Sequence, residues 1–133
     1  MDFKRGDVVE IMGTEEGFEG SYFEAILISK VSNNDYIVQY NTLMNDDKSG
    51  PARAFVSGKD IQPVPEEIMA EKGFSLNDRV DVYYREGWWV GKITEKLENE
   101  YRVWFEHTGD EGVYSPTHTQ MRLHRDWING KWV

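Results

Sequence analysis

Gly20-Ser21-Tyr22-Phe23-Glu24-Ala25-Ile26-Leu27, followed by Asp35-Tyr36-Ile37-Val38-Gln39-Tyr40, decides the fold, because the chain says nearly the same thing again. The echo is Gly87-Trp88-Trp89-Val90-Gly91-Lys92-Ile93, then Glu100-Tyr101-Arg102-Val103-Trp104-Phe105, about 66 to 71 residues later. Upstream, Gly6-Asp7-Val8-Val9-Glu10-Ile11 matches Asn77-Asp78-Arg79-Val80-Asp81-Val82. Self-similarity at one period marks a duplicated structural unit. Within each copy, apolar and polar residues alternate between turn signals, which is the pattern of short half-buried strands. The first copy predicts strands at Val8 to Ile11, Phe23 to Val31, Tyr36 to Tyr40 and Ala54 to Val56. The second predicts Arg79 to Tyr84, Trp88 to Lys96, Tyr101 to Phe105 and Gly112 to Tyr114, with Met121 to Leu123 as a fifth. Asn33-Asn34-Asp35 and Glu98-Asn99-Glu100 read as hairpin turns, since Asn and Asp tolerate the left-handed backbone. Thr42 to Arg53 reads as a long polar loop. The architecture expected is mainly β, with two strongly bent five-stranded barrels.

Two units of roughly 60 residues stand near the lower limit of independent stability, so the copies are expected to pack on each other. The layout predicted is a first barrel over 1–64, a connector over 65–73, a second barrel over 74–127 and a tail over 128–133. Pro63 and Pro65 end a strand, Glu66 and Glu67 suit the start of a short helix, and Gly73 stops it. The chain has no cysteine, which removes disulfides and thiolate metal sites. It carries 24 acidic and 15 basic side chains, for a net charge of -9. Such a field repels phosphate backbones and favours a basic partner. No apolar run reaches membrane-spanning length, and Met1 to Ile11 lacks a signal-peptide core.

The pattern G-D-x-V-E-[IV], the aromatic pairs Tyr22-Phe23 and Trp88-Trp89, the segments Tyr36 to Tyr40 and Tyr101 to Phe105, and Arg122-Leu123-His124 together resemble a tandem Agenet module, a plant-enriched branch of the Tudor-like superfamily. The resemblance runs from about Phe3 to Trp127. It is strongest to plant Agenet-domain heterochromatin readers. Their paired units bind the histone H3 tail dimethylated on its ninth-residue lysine. The resemblance therefore implies a nuclear, non-enzymatic role without cofactor or metal, in a monomeric piece of a larger multi-Agenet protein.

A methylated ammonium is poorly hydrated and is held by aromatic faces set at right angles, through cation–π attraction and apolar contact. The Tudor-like resemblance puts those faces at the end of strand one, the start of strand two and the end of strand three. In the second unit these are Tyr83, Trp89 and Phe105, with Asp110 in the next loop and His107 beside them. In the first unit the positions hold Met12, Phe23 and Tyr40. Met12 offers no ring, so the cage is expected in the second unit. Strand alternation turns Trp88 away from Trp89, toward the seam or the core, and a one-residue slip would exchange the members of such pairs. Glu15, Glu16, Asp46, Asp47, Glu66 and Glu67 are read as an acidic groove for a basic peptide. Asp110 or Glu111 would accept the remaining N–H of a dimethyl-lysine, favouring it over trimethyl-lysine.

Other readings are weaker. His107, Asp110, His118 and His124 do not have the spacing of a recognised metal motif. Ser115 lacks a nucleophile elbow. A nucleic-acid surface would need a basic stripe with interleaved aromatics, whereas the arginines and lysines are scattered among acids. A scaffold gripping an unmodified partner motif through an edge strand or groove stays open as an alternative.

Overall fold

A computed structural model describes residues 3–15, 18–65 and 73–133. The predicted helix over Glu66 to Lys72 lies outside those residues, as does Glu16. In the first half β1 (Val8–Met12), β2 (Ser21–Lys30), β3 (Asp35–Met44) and β4 (Pro51–Ser57) form successive antiparallel pairs, and β5 (Ile61–Pro63) returns to β1. The second half repeats this with β6 (Arg79–Tyr84), β7 (Gly87–Lys96), β8 (Tyr101–Trp104) and β9 (Glu111–Tyr114), while β10 (Met121–Leu123) pairs with β6. Neither set closes into the barrel expected. Among the described residues β4 has no ladder to β5, and β9 has none to β10. A 3-10 turn at Gly58–Asp60 carries the chain off β4 before it can pair further. Half of Thr42 to Arg53 is strand, since β3 runs on to Met44 and β4 starts at Pro51. Only the tip from Asn45 to Gly50 is loop.

Alternation builds each core. Ser21, Phe23, Ala25 and Leu27 are the buried members of β2. Val9, Ile11, Ala25, Leu27, Tyr36, Val38 and Ile61 form one apolar cluster, and Phe74, Val80, Val82, Ile93, Val103 and Phe105 the other. The two halves then join in a single ten-stranded sheet, because the start of β2 pairs antiparallel with the start of β7, Ser21 opposite Trp89 and Tyr22 opposite Trp88. Equivalent strand ends meeting head to head is the arrangement an approximate two-fold axis produces. Gly87 permits the contact. A Cβ there would lie 2.6 Å from the Phe23 ring.

The seam is charged. Glu10 and Asp81 hold equivalent places in the duplicated strand and point away from the cores flanking them, yet they are 1% and 2% exposed. Arg122 of β10, 4% exposed, donates through Nε to Asp81 at 2.8 Å and through both terminal nitrogens to the two oxygens of Glu10, each at 2.8 Å. Gln62, the counterpart of Arg122 in the first half, adds a 2.8 Å bond to Glu10. The guanidinium lies 4.1 Å over the Trp88 ring, which therefore faces the seam. Burial works against the Arg122 charge, but the bonds and attraction of Glu10 and Asp81 outweigh it and raise its pKa. Nearby, burial and then the charges of Asp81, Asp126 and Glu10 push the Tyr22 hydroxyl up to about 12.

His124 extends this network to the chain's end. Its Nδ1 is 2.7 Å from Asp81 and its Nε2 2.8 Å from Asp126, so both nitrogens face carboxylates and the ring must carry both protons to satisfy them. Burial lowers its affinity for the second proton, but Asp81 and then Asp126 overcome that and raise its pKa. Asp126 pairs through the backbone with Val133. Residues 128–133, expected as a tail, instead complete a small hairpin of β11 (Trp127–Ile128) and β12 (Lys131–Trp132). Asn129 and Gly130 make its turn at φ 51° and 78°, and the Trp127 and Trp132 rings meet at 5.1 Å. A raised folded-state pKa means that His124 stabilises fully below its unfolded value near 6.5 and loses that contribution as pH rises through the folded value. Thermal melts across pH 5.5 to 9 should therefore decline more steeply for wild type than for His124→Gln. Among the described residues no helix is long and apolar enough to cross a membrane.

Candidate functional site

The β6–β9 set opens at one end into a cleft of about 300 Å³ lined by Tyr84, Arg85, Trp89, Phe105, Thr108, Asp110, Glu111 and Tyr114. Trp89 comes from the start of β7, and its indole N–H donates to the Tyr84 carbonyl at 2.7 Å, which fixes the ring against the strand beside it. Phe105 follows β8 at 8% exposure and serves as the floor. Tyr114 closes β9 with its ring perpendicular to Phe105, 5.9 Å between centroids. Tyr84 stands at the rim, 45% exposed. The loop after Phe105 is tied by Phe105 N–H to the Asp110 carbonyl at 2.8 Å and by Asp110 N–H to the Thr108 hydroxyl at 3.2 Å. Burial raises the Tyr114 hydroxyl, followed by the negative influence of Tyr84 and Asp110, while Arg85 opposes them. These groups thus share one electrostatic environment.

Of the expected cage, Trp89, Phe105 and Asp110 come together here, whereas Tyr83 and His107 do not. Tyr83 lies opposite Trp88 in the β6–β7 ladder and packs on it at 5.2 Å, on the seam side of the sheet. Tyr84 takes the cleft side, sharing it with Val82 and Val80, two and four residues earlier. The parity of those two valines was the available signal. His107 sits on the opposite flank of the second half, against Gly20, where a Cβ would lie 2.2 Å from its ring. Tyr114 was missed altogether, because its strand was read only as structure.

Phe23 and Tyr40 line a separate cleft in the first half, together with Glu15. Asp46 and Asp47 lie at the β3–β4 tip and line neither cleft. Hydrogen bonds from Ser49 hold the Asp47 carboxyl below its usual range. Glu16, Glu66 and Glu67 fall outside the described residues. The groove expected from these six acids is thus represented at a cleft by Glu15 alone among the described ones. No cluster of three or more His, Asp and Glu suited to a metal ion occurs among the described residues.

The duplicated bent sheet is matched by the comparisons with known proteins. The Agenet domain model matches residues 6–66. The chain belongs to the Agenet family. Over 132 residues it is 37% identical to the Arabidopsis thaliana protein AGENET DOMAIN (AGD)-CONTAINING P1, covering 98% of this chain and 25% of that relative. It thus spans about a quarter of that relative's length. The crystal structure of Arabidopsis thaliana AGDP1 AGD34 superposes with a TM-score of 0.88 at 28% identity, covering 98% of this chain and 88% of that one. The structure of the ADCP1 tandem Agenet domain 3-4 gives 0.84 at 25% identity, with 98% and 86% covered. The tandem Agenet fold, a Tudor-like binding module, is therefore that of this chain.

Proposed function

We propose that this Agenet module reads the histone H3 tail dimethylated on its ninth-residue lysine, as part of a nuclear chromatin protein. The observation that carries this reading is the second-half cleft, whose lining brings Tyr84, Trp89, Phe105 and Tyr114 together with Asp110 and Glu111. Aromatic faces attract a diffuse alkylammonium charge without demanding that it keep its water. A carboxylate at Asp110 or Glu111 accepts the one N–H that dimethyl-lysine retains and trimethyl-lysine lacks. The acidic surface of the chain attracts an arginine- and lysine-rich tail and speeds encounter. The decisive measurement is calorimetric titration with H3 tail peptides unmodified, dimethylated and trimethylated at that lysine. Affinity should rank dimethyl above trimethyl above unmodified. Equal affinity for all three would leave only a scaffold gripping an unmodified motif.

Arg85 adds a prediction of its own. Its guanidinium lies 5.1 Å over the Tyr84 ring at the rim of the cleft, so it competes with a ligand cation for that face. Arg85→Ala should tighten binding of the methylated peptide by about 2- to 5-fold, from removing an exposed like charge and freeing a ring. The gain should shrink as salt is raised.

A further inference from the structure

Trp104 is set apart from the other tryptophans. Trp88 packs on Tyr83 and Arg122, Trp89 meets Phe23 and donates to the Tyr84 carbonyl, and Trp127 and Trp132 meet each other. Among the described residues Trp104 meets no ring and no cation, and its indole N–H has no acceptor. It is 37% exposed. The core residue Val103 precedes it in β8, so alternation turns Trp104 to the outer face of the second sheet. The ladders bring cations beside it. Lys92 of β7 lies opposite Trp104, and Arg79 of β6 lies opposite Lys92. Opposed residues share a face, and the spacing of neighbouring strands makes this a row about 10 Å long. The three come from separate strands, which is why no basic stripe shows along the chain. They line a cleft of about 320 Å³ with Asn77, Glu106 and His107, among others.

Charge sets this cleft apart as well. Arg79 and Lys92 face one carboxylate, Glu106, whereas acids outnumber cations in the linings of four other clefts formed by the described residues. Lys92 pairs with no acid among the described residues. Arg79 reaches Asp126 only at 3.8 Å, with both side chains about half exposed, a pair that an incoming anion can replace. Glu111, on the far side of Trp104, is already engaged by Arg102 at 3.3 Å. A phosphorylated side chain would use the cations and leave the indole in water. A duplex keeps its base faces inside its own stack. An unpaired nucleotide offers a flat ring and a phosphate side by side, which is what a tryptophan beside cations takes up. We infer that this outer face binds single-stranded nucleic acid, DNA or RNA, with one base stacked on Trp104 and neighbouring phosphates on Lys92 and Arg79. The net charge of -9 repels phosphate over the rest of the surface and confines the contact to this row. The inference goes beyond the histone reading and does not rest on it. Trp104 and Phe105 are neighbours in the chain and face opposite sides, so a strand on one and a peptide on the other do not compete.

The test is titration of the full chain with oligothymidylate and oligouridylate of about 12 residues, and with a DNA duplex of the same length, read by the anisotropy of a labelled probe and by the Trp104 indole N–H resonance. A single strand of either sugar should shift that resonance to saturation, with the duplex at least about 5-fold weaker. Trp104→Ala should weaken single-strand binding at least about 5-fold, the low end of what one base stack contributes. Trp104→Phe, which keeps a smaller ring in the same exposed place, should fall between, and it carries the test if the alanine variant is poorly folded. Lys92→Gln should weaken binding and lower the slope of log affinity against log salt by about 0.7, the loss of one phosphate contact. An unmoved Trp104 resonance with both single strands would overturn the inference. Equal binding of the duplex, or full affinity in Trp104→Ala, would also overturn it, because the cations would then act without a stacked base. A phosphoserine peptide that displaced the single strand at equal phosphate concentration would overturn it in favour of a phosphopeptide site.

Discussion

Arg122→Met is expected to cost the fold about 3–5 kcal/mol, the scale seen when one member of a buried ion network is removed and its partners stay behind. The residues left would be Glu10 and Asp81, two buried carboxylates on opposite sides of the inter-unit seam. Three hydrogen bonds would vanish with the guanidinium. Gln62 would still donate to Glu10, and His124 to Asp81, but neither replaces the central charge. Trp88 would also lose the cation stacked at 4.1 Å. The cost arises from stranded acids more than from a lost attraction, and that gives the prediction a second arm. Replacing Glu10 and Asp81 by Gln and Asn in the same chain should restore much of the stability, because the buried charge is then gone. Chemical denaturation of the single and triple variants measures both arms. If the triple variant were no more stable than Arg122→Met, the explanation by stranded acids would fall.

That network also shows where reading along the chain stops. Period-two alternation located β1, β2, β6 and β7, because Val9, Ile11, Val80 and Val82 need only a nearby apolar partner. Glu10 and Asp81 alternate with those apolar residues and so fall on the other face, yet they are among the most buried residues. Their cover comes from Arg122, 112 residues from Glu10, and no local pattern encodes a contact of that range. Trp89, Phe105 and Asp110 were legible because duplication and resemblance set their positions. Tyr83 came from the Tudor-like resemblance, whereas carrying the valine parity of β6 forward reaches Tyr84.

Trp89→Ala is expected to lower affinity for the dimethylated tail by roughly 10- to 100-fold, which is about 1.4–2.8 kcal/mol. The upper part of that range reflects two losses from one substitution. The indole is a wall of the cleft, and its N–H holds the Tyr84 carbonyl at 2.7 Å, so its removal also loosens the segment carrying a second ring. Trp89→Phe separates the two effects, keeping a π face while dropping the hydrogen bond, and should fall between wild type and Ala. Because Trp89 packs against the second core, circular dichroism and a melt must accompany each titration. The adjacent tyrosines provide a control free of that complication, since both are exposed. Tyr84→Ala should cost methyl-dependent affinity by about 5- to 10-fold, and Tyr83→Ala should leave it unchanged, because Tyr83 lies on the other face against Trp88. The opposite ranking would place the ligand on the seam face of β6 and require a different cage. With the predicted ranking, the peptide is read from the face that the valines of β6 define, and the charged face of the same strand serves to lock the two halves together.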